Sequence, residues 1–360
     1  MTTATARRSA PSLDAAASTA TQAANYLSVR KDWLARRQED ILEPGLPIID
    51  PHHHLWDRPN WRYLLDDLLE DTRSGHNLLA TVFVEAHAFH KADGPDEMKV
   101  VGEVEFVNGI CAMTASGHYG KTRVAGIVGT ADLALGSRVE PVLEALERAG
   151  GGRFKGIRHI TAWDDDPQVR NPAFTRGARQ MYDPRFREGL GFLAKRGHTY
   201  DAWLYHPQIG DVADLADAVP DAKIVLNHCG GQVGINSYKR DEVFPHWKTS
   251  IEELAKRPNV YVKLGGQGMR ICGFNFDKQP EPPSSQILAD AWRPYMETCI
   301  AAFGPSRAMF ESNFPVDKGS YSYPVFWNAA KILAKGASAA EKADLFMGTA
   351  KRFYRLDEIG

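Results

Sequence analysis

The chain of 360 residues lacks the features that would tie it to a membrane, to nucleic acid or to an oxidising compartment. It has no run of about 18 apolar residues, so the sequence predicts no membrane span. Its 43 Lys and Arg balance 45 Asp and Glu, and without a basic surplus we expect no nucleic-acid partner. Its 4 cysteines form no Cys-x-x-Cys pair, which excludes a zinc ribbon and predicts a reducing, cytoplasmic location.

The N-terminal region has no apolar centre of the kind that a secretory signal requires. Residues 1–25 are rich in Ala, Thr and Ser, and we predict a flexible arm there. An organelle transit peptide is the alternative, because Arg7 and Arg8 are present and acids are nearly absent. Residues 26–45 carry a helical pattern that Pro44 and Gly45 interrupt, so we predict an N-terminal helix. The arm and this helix are also where we place the expectation of a homo-oligomer.

Residues 46–360 alternate short β-rich stretches with longer helical patterns. The stretches are LPIIDPHHH, LLATVFVEAH, RVAGIVGTADL, FKGIRHITAW, TYDAWLY, KIVLNHCG, VYVKLGGQGM and RAMFESNFP. Several are nearly continuous apolar runs, as strands buried on both faces require. Eight strand-then-helix units predict an α/β fold of the (β/α)8 TIM barrel class, with an N-terminal helical extension. An open doubly wound sheet is the alternative, but it would usually show a Gly-rich loop where histidines stand here.

Polar residues recur where the predicted strands end, which is the face of a barrel that carries the reactive groups. They are His52, His54, Glu85, Arg158, Tyr205, His206, His228, Asn313 and Asp317. Strand side chains alternate, so His52 and His54 are predicted to share the barrel mouth while His53 points to the helices. Two such imidazoles suit one divalent ion or one anionic group of a substrate. Asp50 lies two residues earlier and is predicted to fix a ring tautomer from below.

Four motifs give the sequence a resemblance to a known family. The stretches DPHHHLWD, GIRH, LNHCGG and SNFP resemble those of the amidohydrolase superfamily, in particular its lactone hydrolases, which include sugar lactonases and pyrone-dicarboxylate lactonase. The resemblance covers roughly residues 46–356, the length of one barrel. It implies a distorted (β/α)8 barrel that hydrolyses a lactone, or a related cyclic ester or amide, of a small polar or carboxylate-bearing molecule.

The resemblance also implies a reaction centre with particular residues. The histidines that it places around one Zn²⁺ or Mn²⁺ are His52, His54, His206 and His228. The lysine that joins two metals in some relatives is absent here, so a two-metal centre is not expected. Asn313 stands where many relatives carry aspartate, and an amide is no general base and a poor ligand for a transition metal. Metal-free hydrolysis is therefore kept as an alternative.

The predicted roles follow from this arrangement. The predicted catalytic residues are His52, His54, His228, Asn313 and Asp317. The predicted substrate-binding residues are Glu85, Arg158, Trp203, Tyr205 and Lys263. Asp317 is the first candidate for the general base, followed by Glu311, which is expected one layer deeper, and Glu85. Arg158 is predicted to grip a substrate carboxylate through two hydrogen bonds. The alternatives are a metal-dependent decarboxylase of an aromatic acid and a barrel that binds a ligand without catalysis.

Overall fold

The computed structural model describes residues 26–166, 169, 175 and 177–359, so the predicted arm over residues 1–25 lies outside the described residues. All eight predicted strands are present and form one sheet of 8 strands, in which every neighbouring pair is parallel. In sheet order they are β1 (Pro47–His53), β4 (Asn77–Val84), β5 (Arg123–Gly129), β6 (Phe154–Ile160), β7 (Thr199–Trp203), β8 (Lys223–Leu226), β9 (Val260–Leu264) and β10 (Ala308–Phe310). A separate hairpin, β2 (Trp56–Arg58) and β3 (Trp61–Tyr63), follows the first strand.

The sheet curls into a nearly closed barrel, because its first and last strands meet just beyond the end of β10. A parallel bridge joins His53 to Phe314. The N–H of His54 donates to the carbonyl of Phe314 at 2.8 Å, and that of Asn313 donates to the carbonyl of His52 at 3.0 Å. This closure confirms the predicted (β/α)8 fold and brings the first histidines next to the segment after the last strand.

Helices surround the barrel. They are α1 (Lys31–Leu34), α2 (Leu65–Thr72), α3 (Val101–Ala115), α4 (Glu140–Gly150), α5 (Pro184–Lys195), α6 (Ile209–Ala218), α7 (Arg240–Leu254), α8 (Ser285–Phe303), α9 (Tyr323–Leu333), α10 (Ala339–Ala343) and α11 (Thr349–Tyr354). Their starts follow the usual capping chemistry: Asp183 accepts from the N–H of Arg185 before α5, and Ser284 accepts from the N–H of Ile287 before α8. None of the helices in the described part of the chain has the length and apolar character that crossing a bilayer requires.

Two apolar layers follow from the alternation of strand side chains. One lies between strands and helices and includes Phe83 and Leu226. The other takes alternate strand residues such as Val82 and Val225, together with Phe353 and Tyr354 of α11. The C-terminal helix therefore packs into the same cluster as the inward-facing strand residues.

The N-terminal extension differs from its prediction. A helix is present, but it spans only the 4 residues of α1, so the prediction of a helix over residues 26–45 is wrong in its length. Side chains in this helix and just after it donate hydrogen bonds to backbone carbonyls of a distant loop. Trp33 Nε1 donates to Gln279 O and Pro280 O at 3.2 and 3.1 Å, and Arg37 Nε donates to Pro282 O at 3.1 Å. Tertiary contacts thus override a moderate helix propensity.

Candidate active site

Three imidazoles from distant parts of the chain meet at the end of the barrel. His52 and His54 belong to the end of β1 and the residue after it, and His228 follows β8. The ring centroids of His52 and His54 are 4.9 Å apart, and those of His52 and His228 are 4.6 Å apart. All three are buried. His53 packs instead against Phe83 at 5.9 Å, in the layer between strands and helices.

Glu311 connects two of these rings. Its Oε1 accepts from the Nδ1–H of His228 at 2.6 Å and from the backbone N–H of His228 at 3.0 Å. Its Oε2 lies 2.6 Å from Nδ1 of His52. A carboxylate on Nδ1 fixes the tautomer in which Nδ1 carries the proton and Nε2 keeps its lone pair. The sequence placed Glu311 one layer too deep, and it missed this orienting role.

Asp50, which was predicted to fix the tautomer, does not do so. Its side chain accepts from the backbone N–H and hydroxyl of Ser312 at 3.0 and 2.6 Å and from Tyr323 OH at 2.9 Å. Towards His52 it accepts only the backbone N–H, at 3.3 Å. Burial raises the pKa of Asp50 to about 6. Asp50 therefore ties the first strand to the last one, and Glu311 is the carboxylate that orients the rings.

The third imidazole is oriented by the backbone. His54 Nδ1 lies 2.8 Å from the carbonyl of Val84, which can only accept, so Nδ1 carries the proton. Its Nε2 faces Asn313 Oδ1 at 3.4 Å. Burial is the main cause that lowers the pKa of His52, His54 and His228. The charge of Arg158 lowers all three further, that of Lys263 lowers those of His52 and His228, and Glu311 partly opposes the shift of His228. The three rings are therefore held neutral, with Nε2 as the basic atom of His52 and His228.

Asn313 and Asp317 form a pair beside His54. Asn313 Nδ2 donates to Asp317 Oδ1 at 2.9 Å, which turns the amide oxygen towards His54. Asp317 Oδ2 accepts from the N–H of Gly268 at 3.0 Å and from Tyr321 OH at 2.5 Å. Burial raises the pKa of Asp317 to about 7. Both of its oxygens already face protein donors, so Asp317 orients Asn313 rather than facing the three rings.

Two buried cations lie against His52. Lys263 Nζ donates to Asp201 Oδ2 at 2.7 Å and to Pro51 O at 2.8 Å, and it lies 3.2 Å from His52 Nδ1. An ammonium has three donors, and the bonds to Asp201 and Pro51 use two of them. Tyr354 OH and Asn227 Nδ2 also donate to the carboxylate of Asp201. The ammonium is thus part of the barrel interior and supports His52 from below.

Arg158 is the second cation, and Glu85 is its partner. Arg158 Nε donates to Glu85 Oε1 at 2.5 Å, and its Nη2 donates to the backbone carbonyl of Glu85 at 2.6 Å. Its Nη1 lies 3.4 Å from His52 Nε2. Glu85 Oε2 lies 3.2 Å from Nε2 of His87. The structure therefore brings the predicted residues Glu85 and Arg158 together as an ion pair beside His52.

The structure separates the three residues that were predicted on β7 and just after it, which are Trp203, Tyr205 and His206. The ring of Trp203 meets that of His228 at 4.7 Å. Tyr205 is buried in a small apolar cluster with Trp203 at its edge. His206 Nδ1 accepts from the N–H of Val233 at 3.1 Å, and its ring packs on Tyr238 at 5.1 Å. This surrounding explains why the structure does not join His206 to the group of imidazoles.

Two glycines after β9 leave room for these side chains. A Cβ on Gly265 would lie 2.5 Å from Glu311 Cγ, and a Cβ on Gly266 would lie 2.5 Å from His228 Cγ. Gly266 also has a φ of +69°, which residues other than glycine rarely adopt. The glycine-rich stretch after the strand is thus the surface on which the catalytic candidates pack.

We expect Gly266→Ala to displace His228 and to reduce turnover by about 10²-fold, because small shifts of a reacting group are this costly. It should also lower the free energy of unfolding by about 1–3 kcal/mol through strain and overpacking. Gly336→Ala is the matched control, since a Cβ there meets no atom within 4 Å. Activity assays and urea unfolding of both variants make the measurement. A Gly266→Ala enzyme as active as Gly336→Ala would contradict the packing described above.

The site also has the donor set for a divalent cation. Among the described residues, His52, His228 and Glu311 place ligand atoms within 4.8 Å of one another, all of them buried, and this group contains neither His54 nor His206. Two imidazoles and a carboxylate are ligands that Zn²⁺ accepts. Lys263 pairs closely with Asp201, at 2.7 Å, and makes only a long ion pair with Glu311, at 3.8 Å. The residues therefore fit a metal by type, by position and by charge.

A parallel eight-stranded barrel with imidazoles and carboxylates at the ends of its strands is the framework of a barrel enzyme. Comparison with known families identifies which one. The Amidohydrolase family model matches residues 49–356, so the chain belongs to the amidohydrolase family and is a hydrolase. This match confirms the family that the sequence motifs predicted.

Relatives cover nearly the whole barrel. The protein y4mH of Sinorhizobium fredii is 33% identical over 86% of this chain and 99% of its own. The L-fucono-1,5-lactonase of Burkholderia multivorans is 27% identical over 87% of this chain and 98% of its own. A solved amidohydrolase from Burkholderia multivorans, with bound zinc, is 25% identical with a TM-score of 0.66, over 86% of this chain and 99% of its own. The chain is therefore similar to amidohydrolases that include lactonases.

Proposed function

We propose that this protein opens a lactone ring by adding water to its carbonyl carbon. The observation that carries the proposal is the carboxylate of Glu311, which orients His52 and His228 through their Nδ1 atoms and leaves Nε2 basic. A buried carboxylate–imidazole pair of this kind is suited to taking a proton from water. The lactonases among the relatives support the choice of a cyclic ester as substrate.

The proposed reaction begins with His228. Its Nε2 takes a proton from a water molecule while the water oxygen attacks the carbonyl carbon. Glu311 stabilises the imidazolium that forms, because the pair is buried and 2.6 Å apart. The tetrahedral oxyanion then expels the ring oxygen, which receives the proton from His228. One water is consumed and one hydroxy acid is formed, so the enzyme returns to its starting protonation state.

The positive charges near His52 have a role in this scheme. Lys263 Nζ and Arg158 Nη1 lie 3.2 and 3.4 Å from the two ring nitrogens of His52. Both cations are buried, so their field is weakly screened and favours an oxyanion close to this ring. His52 and its neighbours thus stabilise negative charge, while the His228 and Glu311 pair moves the proton.

A divalent ion is the proposed cofactor, and zinc is the ion bound in the solved relative. His52, His228 and Glu311 would hold it, and because a metal-bound imidazole has no free lone pair, the base role proposed for His228 belongs to metal-free turnover. When bound, such an ion polarises the carbonyl and lowers the pKa of water to about 7. The proton transfer proposed for His228 and Glu311 uses only these two side chains and a water molecule.

We expect purified protein to acidify a weakly buffered solution of a lactone and His228→Gln to reduce the rate by about 10²- to 10⁴-fold, as for loss of a general base. The assay follows a pH indicator, with and without chelator. His198→Gln is the matched control, because His198 is also paired with a glutamate, Glu147, at 2.6 Å but lies outside the site. Release of CO₂ from a resorcylate-type acid without any lactone turnover would instead support the decarboxylase alternative.

A further inference from the structure

The two buried cations of the site are each neutralised by a buried carboxylate, Glu85 for Arg158 and Asp201 for Lys263. Arg158 directs Nε and Nη2 to Glu85 and Nη1 to His52. Lys263 donates to Asp201 and Pro51, and its Nζ lies 3.2 Å from His52 Nδ1. A carboxylate brought to either cation would have to break a buried ion pair, which is strongly unfavourable. Among the residues described at the three rings, the cations therefore serve the scaffold.

Two of the side chains that face outward from these groups are apolar. Ile160 and Trp203 end β6 and β7, two residues after Arg158 and Asp201, so each shares the face of that inward-pointing residue. Both are only partly buried, unlike the polar residues beneath them. Trp203 contacts the ring of His228 at 4.7 Å. With Ile271 they flank a small apolar cluster at this end of the barrel, and we call these three residues the apolar wall.

A second indole lies on the opposite side of the imidazoles. Trp56, in the hairpin after β1, stacks on His54 with a centroid distance of 5.6 Å and an interplanar angle of 22°. Trp61 packs edge-on against Trp56 at 4.5 Å and holds it in place. The three rings thus stand between an indole beside His228 and another beside His54.

We infer that the substrate is a neutral lactone with an apolar body, such as an alkyl- or aryl-substituted δ-lactone, and this inference rests on the proposed function. An apolar body gains free energy by leaving water against the apolar wall. A polyhydroxylated or dicarboxylate lactone would lose its hydration at the same wall, and Arg158 and Lys263 are already neutralised by Glu85 and Asp201. Apolar contacts therefore select the substrate, and the charged groups are reserved for the reaction.

The test compares kcat/KM on three δ-lactones that share the reacting ester. These are δ-valerolactone, which is unsubstituted, δ-decalactone, which carries a pentyl chain, and D-glucono-1,5-lactone, which carries hydroxyl groups. We expect δ-decalactone to exceed both others by at least about tenfold, since even one methylene in an apolar pocket can give this ratio. A higher kcat/KM on the gluconolactone than on δ-decalactone would overturn the substrate class while leaving lactone hydrolysis intact. Absence of turnover on all three would overturn the proposed function itself.

Two variants attribute the preference to the wall. Ile160→Ala should reduce kcat/KM on δ-decalactone by about tenfold and reduce the δ-decalactone to δ-valerolactone ratio accordingly. The matched control is Ile287→Ala, because Ile287 is 53% exposed on α8 and belongs to no part of the site. An Ile160→Ala enzyme with the wild-type ratio between the two lactones would show that the wall only packs, and would overturn the inference.

Discussion

Replacing Glu311 by Gln should reduce kcat by about 10³- to 10⁴-fold, the range found when a carboxylate that orients a catalytic imidazole becomes an amide. Glu311 accepts from Nδ1 of His228 and lies at the same 2.6 Å from Nδ1 of His52. An amide has one accepting oxygen, so its NH₂ group would face one of the two ring protons. That ring must turn or change tautomer, and Nε2 loses its lone pair. Steady-state kinetics and metal content of the purified variant provide the measurement.

Glu103 offers the control for this change. It is fully buried like Glu311, but it accepts only from the backbone N–H groups of Ala86 and Ala88. Burial raises the pKa of Glu103 to about 8, so it is largely neutral at pH 7 and Gln resembles it closely. Glu103→Gln should keep nearly full activity. If Glu311→Gln also stays within tenfold of the wild type, the proton transfer assigned to His228 and Glu311 is wrong.

Replacing Lys263 by Met should lower the free energy of unfolding by about 3–5 kcal/mol, the usual cost of removing one partner of a buried ion pair. Met keeps most of the apolar stem, but it leaves Asp201 buried without its cation. The carbonyl of Pro51 also loses its donor. Urea unfolding followed by tryptophan fluorescence measures the change, and activity should fall as well, because the field at His52 weakens.

An exposed pair and a double variant separate these causes. Lys31 and Glu70 form an ion pair whose side chains are 64% and 61% exposed, so Lys31→Met should cost less than about 1 kcal/mol. The double variant Lys263→Met with Asp201→Asn removes both charges and should recover much of the lost stability. A cost for Lys263→Met as small as that for Lys31→Met would mean that water already reaches the ammonium.

The barrel could be predicted because apolar runs and their spacing determine strands without any knowledge of distant contacts. Seven of the eight strands lie inside the predicted stretches, β4 begins one residue before its stretch, and the order along the sheet follows the chain. The N-terminal helix could not be sized in this way, since Trp33 and Arg37 bond to carbonyls some 245 residues away. The hairpin Trp56–Tyr63 was also missed, because its two strands have only three residues each.

The site was predictable only as far as the strand ends determine it. His52, His54 and His228 meet because parallel strands in a barrel end at one face. Glu311 was placed too deep because alternation along a strand locates only the Cα atoms. The two methylene groups of its side chain let the carboxylate reach the rings. The partners of Arg158 and Lys263 depend on side-chain directions across the barrel, which no local pattern records.

The seam between residues 52–54 and residues 313–314 joins the two ends of the barrel, and site residues come from both ends. His52 comes from the beginning of the barrel, and Glu311, the carboxylate that orients it, follows the last strand. In a nascent or truncated chain that has not formed the hydrogen bonds of this seam, His52 and Glu311 are not held together. The arrangement of the reacting side chains therefore depends on the closure of the barrel at this seam.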